Sequence, residues 1–177
     1  SSQAAAQTSL LPPVAAAPAS AAGKGFVLVV DDAEPNRDVL SRQLRRQGYN
    51  VATAGDGREA LDQLRAAAFD LVLLDIMMPE MDGYEVLQQL KADDALRHIP
   101  VIMISALSEL DSVVRCIELG AEDYLSKPFE PTLLKARIGA CLEKKRAHDR
   151  EAHLFEQLQE FVVALRVRNS EMARWRE

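Results

Sequence analysis

Cysteine is scarce: the 177 residues contain two, Cys116 and Cys141. Neither belongs to a Cys-x-x-Cys pair or lies near a histidine at metal-binding spacing, so no disulfide framework is implied and both read as reduced thiols. A cytoplasmic setting is the resulting expectation. A basic excess is also missing. With a formal net charge of -6, the chain lacks the clustered Lys and Arg that neutralise phosphates, which argues against a general nucleic-acid binder. Apolar runs do not exceed strand length, and the amino terminus has neither a basic start nor a continuous apolar centre. Neither a membrane span nor a secretory signal is therefore expected. Large apolar side chains are almost absent from residues 1–24, which are rich in Ala, Ser, Pro and Gln. With nothing to bury, that segment reads as a disordered leader, and Pro12, Pro13 and Pro18 interrupt any helix in it.

What the chain does have is regular alternation. Phe26 to Val30 is a β-branched apolar run that stops at Asp31 and Asp32, and from Asn36 to Arg46 Val39, Leu40 and Leu44 return at helical spacing. Gly48 closes that helix. A strand from Tyr49 to Ala54, with Val51 inward, and a helix from Gly57 to Ala68 follow. Leu71 to Leu74 is an unbroken apolar run, the pattern of a strand covered on both faces, and it ends at Asp75. Pro79 and Gly83 force a loop before a helix from Tyr84 to Lys91. Pro100 opens a strand from Val101 to Ile104 that ends at Ser105. A helix from about Glu109 to Leu119 comes next, then a short strand near Asp123 to Leu125 that leads into Ser126, Lys127 and Pro128. A last helix begins near Glu130 and runs on. Five strand–helix alternations require crossover connections, which predicts a doubly wound α/β fold. The expected sheet is parallel and five-stranded, of order 2-1-3-4-5 and flavodoxin-like, and in that order the ends of strands 1 and 3 lie side by side. Asp31, Asp32 and Asp75 then converge.

Three carboxylates at one edge repel one another unless a cation offsets them. Oxygen-only ligands point to Mg2+ or Mn2+, and magnesium keeps several waters, which leaves positions for a phosphate oxygen. On the same rim, the ends of strands 4 and 5 supply the Ser105 hydroxyl and the Lys127 ammonium. A phosphoryl group on Asp75 would have its oxygens shared among metal, ammonium and hydroxyl, the electrostatic clamp that phosphoryl transfer requires. Simpler readings compete: one of Asp31 and Asp32 as a helix cap, and Lys127-Pro128 as a solvated turn. Pro128 can also hold a cis bond that aims the lysine inward.

These residues resemble the receiver domain of bacterial response regulators. The matching pieces are Val-Leu-Val-Val-Asp31-Asp32, Asp75-Ile-Met-Met-Pro79 with Asp82-Gly83, Ile-Ser105-Ala106, and Tyr124-Leu-Ser-Lys127-Pro128-Phe129, in the family's order and spacing over residues 25–142. The resemblance implies that Asp75 is the phosphoacceptor, taking the phosphoryl group from a sensor histidine kinase or phosphotransfer protein. It implies direct Mg2+ binding by Asp32, Asp75 and the backbone carbonyl of Met77, with Asp31 acting through a water, and pairing of Lys127 with the phosphoryl oxygens. Ser105 and Tyr124 would be the switch pair. Tyr124 has a plainer alternative as a half-buried ring on a strand. The receiver would promote its own phosphorylation without being an enzyme in the ordinary sense.

Beyond the resemblance, residues 143–177 carry Leu154, Leu158, Phe161, Leu165, Met172 and Trp175 at four-three spacing, broken by Arg168, as in a coiled-coil seam. A parallel homodimer coil is the preferred expectation, against a helix folded back on its own domain; Phe155 and Val162 widen the stripe and allow a larger bundle. Ala-Cys-Leu-Glu-Lys-Lys-Arg resembles the linker that joins receivers to output domains such as cyclases or serine phosphatases. No such domain follows, so a fragment, or a regulator acting through dimerisation alone, is expected. Three other readings stay in view. An aspartyl phosphatase usually needs an Asp where Met77 stands, and a flavin mononucleotide binder wants Ser, Thr and Gly where Asp31, Asp32 and Glu34 stand. The last is a constitutive dimer scaffold that is never phosphorylated.

Overall fold

The computed structural model describes residues 23–107 and 109–175. Nearly all of the expected leader, 1–24, lies outside them. The elements run β1 Phe26–Val30, α1 Glu34–Arg46, β2 Asn50–Ala54, α2 Gly57–Ala66, β3 Leu71–Asp75, α3 Gly83–Ala92, β4 Val101–Ser105, α4 Leu110–Glu118, β5 Asp123–Ser126 and α5 Pro131–Arg174. All strand pairings are parallel, and the sheet order is β2-β1-β3-β4-β5. The expected doubly wound fold and strand order are those observed.

The strands have apolar side chains on both faces because helices cover both. Val27, Val29, Leu71, Leu73, Ile102 and Ile104 pack against Leu40 and Leu44 of α1 and Leu134, Ile138 and Leu142 of α5. Their strand neighbours Leu28, Val30, Val72, Leu74, Val101 and Met103 point the other way, onto α2, α3 and α4. A period of two thus splits each continuous apolar run between two cores. Val51, expected inward, is half-buried against the first of them.

Local chemistry sets the helix starts. Asp56 and Asp82 cap α2 and α3, their carboxylates accepting from the backbone N–H of Glu59 at 2.8 Å and of Glu85 at 3.0 Å. Proline stands in the first turn of α1 and of α5, where its missing N–H costs no helical bond. At the carboxyl end the structure has the continuous helix expected from the sequence. The last receiver helix, the charged stretch and the apolar seam form one helix of 44 residues, about 66 Å long at the usual rise. Leu134, Ile138 and Leu142 bury its first turns, whereas Leu154, Leu158 and Phe161 are exposed. The tail therefore does not fold back on its own domain.

Candidate functional site

The register brings the acids together. Val30 pairs with Leu74 across β1 and β3, so the residues that follow them, Asp31 and Asp75, leave the sheet side by side. Asp31, Asp32 and Asp75 each offer a carboxylate oxygen within 4.8 Å of the others. Ser105 pairs with Ser126 at the ends of β4 and β5, which places Lys127 just past the same rim. Its ammonium lies 2.9 Å from Asp31 Oδ2 and 3.3 Å from Asp75 Oδ2. The peptide bond between Lys127 and Pro128 is cis.

Within the cluster the three acids have different surroundings. Asp31 is 2 % exposed and well satisfied: it accepts from the backbone N–H of Ala33 at 2.9 Å, from Asn36 at 3.3 Å and from Lys127. Asp32 faces solvent, and among the described residues no protein donor reaches its carboxylate. Neither acid caps α1, whose cap is Ala33 with no side-chain bond. The helix-cap reading is thereby set aside. Asp75 is buried and accepts from the N–H of Met77 at 3.2 Å.

Burial pushes the Asp75 carboxyl up; the Lys127 charge lowers it and the Asp31 charge raises it again. Burial pulls the Lys127 ammonium down, but its hydrogen bond to Asp31 and the charges of Asp75 and Asp31 outweigh that and leave it raised. The two directions are compatible because one lysine serves two acids and stands closer to Asp31. Asp75 gets only part of the compensation it needs, so its carboxyl stays raised.

Ser105 is fully buried, its Oγ accepting from the N–H of Leu107 at 3.2 Å. Tyr124 is half-buried and its hydroxyl donates to the carbonyl of Leu107; burial raises its phenol. Both switch candidates thus hold the same residue of the loop after β4. Met77, by contrast, exposes its side chain at 59 %, leaving only its backbone as a possible ligand. Two contributors, Asn36 and Arg37, were not legible in the sequence, and a third, Gly83, was read there only as a loop former and motif residue. Asn36 bonds Asp31, Arg37 donates to the Asp31 carbonyl at 2.7 Å, and Gly83 lies against the backbone of Asp75 and Ile76, its N–H donating to the Ile76 carbonyl at 2.9 Å. For Asn36 and Arg37 the only available signal was their position just beyond the strand-end acids.

A profile of the response regulator receiver domain matches residues 27–139. The chain belongs to the response regulator receiver family. Among curated relatives of this receiver, the probable transcriptional regulator ycf27 of Guillardia theta is 43 % identical over 131 residues, covering 74 % of this chain and 50 % of its own length. The receiver chain spans about half the length of the curated relatives it first matches. Of solved structures, the chemotaxis protein CheY4 of Vibrio cholerae superposes with a TM-score of 0.63 at 33 % identity, over 66 % of this chain and 97 % of that one. The BeF3-activated receiver domain of DrrB superposes with a TM-score of 0.61 at 35 % identity, over 67 % and 97 %. No helix among the described residues is long and apolar enough to cross a membrane.

Proposed function

We propose that residues 25–142 are a phosphoacceptor receiver in which Asp75 takes a phosphoryl group from a sensor histidine kinase or phosphotransfer protein, and that residues 143–177 relay the result through a homodimeric coiled coil. The observation that carries this reading is a buried, poorly compensated carboxylate, Asp75, 3.3 Å from a lysine ammonium and within 4.8 Å of two further acids. An Asp75 oxygen attacks phosphorus, the donor's nitrogen or oxygen leaves with the bonding pair, and Lys127 neutralises charge on the oxygens of the transferred group. The Ser105 hydroxyl donates to one of those oxygens and gives up its bond from Leu107, releasing the loop that Tyr124 also holds.

The donor set fits a magnesium ion. One ammonium contacts two of the three carboxylates, no donor among the described residues reaches Asp32, and Asp31 already accepts from Lys127, Asn36 and Ala33. Asp32, Asp75 and the backbone carbonyl of Met77 would hold the ion directly and Asp31 through a water, and when bound it supplies a positive charge that offsets the phosphoryl oxygens. The face that responds is formed by α4, β5 and α5, where Leu110, Val114 and Ile117 make an exposed apolar strip. The relatives' greater length supports an output module beyond this chain.

Incubation with acetyl phosphate and Mg2+ should add one acid-stable, base-labile phosphoryl group, seen by intact mass. Asp75→Asn should abolish it, and labelling that persists in that variant refutes the assignment. Beryllofluoride, which activates the similar DrrB receiver, should shift the amide spectrum of the loop after β4. A protein that responds to neither reagent is the constitutive scaffold instead.

A further inference from the structure

The exposed seam on α5 has a charge pattern that selects one way of pairing. Resting on the homodimer reading above, we propose that two copies of this chain pair their α5 tails antiparallel, in the register that sets Glu151 of each against Arg168 of the partner subunit. Along the seam, Leu154, Leu158, Phe161, Met172 and Trp175 are all more than half exposed, at 59, 62, 62, 52 and 88 %. Between Ala147 and Trp175 the two charged positions in the stripe are Glu151 and Arg168, one near each end. At 3.6 residues per turn the stripe lies roughly 160° around the helix from Leu134, Ile138 and Leu142, which bury against the receiver. It is therefore presented outward, away from its own domain.

A parallel coil brings each seam residue against its own copy, so Glu151 would face Glu151 and Arg168 would face Arg168. Like charges would meet at two positions of the seam. No flanking pair compensates: across a parallel coil Arg150 comes level with Phe155, Gln157 with Val162 and Ala164 with Asn169. Antiparallel pairing changes every contact. With Leu158 opposite Phe161 of the partner subunit, Leu154 meets Leu165 and Ala147 meets Met172, a small residue against a large one. In that register Glu151 faces Arg168 of the partner subunit. On one flank Arg150 meets Glu171, and on the other Phe155 meets Val162, which accounts for the extra width of the stripe. Sliding by one heptad in either direction sets Arg168 against Leu158 or against Lys144, so among these three registers only one pairs Arg168 with Glu151; Lys144, at the end of the overlap, is bound by Glu122 of its own chain. The overlap spans 144–175 and ends where the receiver begins, so the full exposed seam is covered. Charge pairing of this kind is what fixes orientation in coiled coils whose apolar seams alone would accept either.

The test uses the full chain with Cys116→Ala and Cys141→Ala and a nitroxide on Ser170→Cys, which lies on the outer face of the tail. Antiparallel pairing sets residue 170 level with residue 149 of the other copy, 21 residues away, so the label separation should exceed about 35 Å; a parallel coil gives about 20–25 Å. In the otherwise unaltered chain, Glu151→Arg should weaken self-association about tenfold, and adding Arg168→Glu should restore it. A short label distance, or a double variant no better than the single one, overturns the antiparallel register while leaving the homodimer in place. Sedimentation as a monomer at every concentration overturns the homodimer itself.

Discussion

Replacing Gly83 with alanine tests how tightly the strand that ends in Asp75 is held against α3. A β-carbon at position 83 would lie 2.3 Å from the carbonyl oxygen of Asp75, 2.7 Å from the Cα of Ile76 and 3.0 Å from the carbonyl carbon of Asp75. All three are backbone atoms, which no rotamer change can move aside. Ordinary non-bonded contact requires the two segments to part by roughly 1 Å, although the Gly83 N–H bond to the Ile76 carbonyl at 2.9 Å holds them together. The backbone at 83 is not left-handed, so alanine introduces no torsional strain and the effect is purely one of contact. Overpacking costs about 1–3 kcal/mol and this case belongs at the upper end; the gain in helix propensity returns at most about 1 kcal/mol. A net loss of about 2 kcal/mol should appear in urea unfolding, with the melting temperature lowered by about 4–8 °C. Because the displaced atoms belong to Asp75, phosphorylation by acetyl phosphate should also slow by about 10²-fold under conditions where the variant is fully folded. A variant within about 0.5 kcal/mol of wild type and labelled at the wild-type rate would refute the close-approach argument.

Lys127→Met removes the ammonium that Asp31 and Asp75 share, and should cost about 3 kcal/mol in the presence of a chelator, with part of the loss recovered by millimolar Mg2+; equal unfolding midpoints with and without the ion would contradict the charge-compensation reading. Asp75→Asn should unfold at higher urea than wild type at pH 7 in chelator. The raised carboxyl of Asp75 means that its contribution to stability is present at low pH and lost as pH rises through its folded value, and a lower midpoint for the neutral variant would show that Lys127 compensates Asp75 fully. The thiols of Cys116 and Cys141 are pushed from 9.0 up to about 11 by burial. Below pH 9 they are neutral in both folded and unfolded chains, whereas above it only the unfolded chain ionises, so stability should fall between pH 9 and about 11. Cys116→Ala should show a loss smaller on the order of 2 kcal/mol over that window in urea titrations; identical pH profiles would mean that the thiol is hydrated.

The strand ends were legible because each is a local event: an apolar run stops at an acid, a serine or a lysine, and the spacing of the runs implies crossovers. That sufficed to group Asp31, Asp32, Asp75, Ser105 and Lys127 on one rim. It did not suffice to distinguish Asp31 from Asp32. They are adjacent and chemically alike, yet one is 2 % exposed and bound by Lys127 from 96 residues away while the other faces solvent. Asn36 and Arg37 look like ordinary first-turn residues of a helix, and only the return of α1 over β1 brings them onto Asp31. The tail was legible as well, as a helix that extends the receiver's last one. In the structure no break separates them, because the charged stretch from Glu143 to Glu151 contains neither glycine nor proline.

By itself the sequence determined the order of elements, the two-sided burial of the sheet and the set of side chains at its carboxyl edge, because apolar period and chain punctuation are local properties. Only the tertiary structure decided which acid is buried, which lysine contact is shorter and which face of the long helix stays uncovered. Those depend on distances between residues far apart in the chain, which are set by how the helices pack on the sheet.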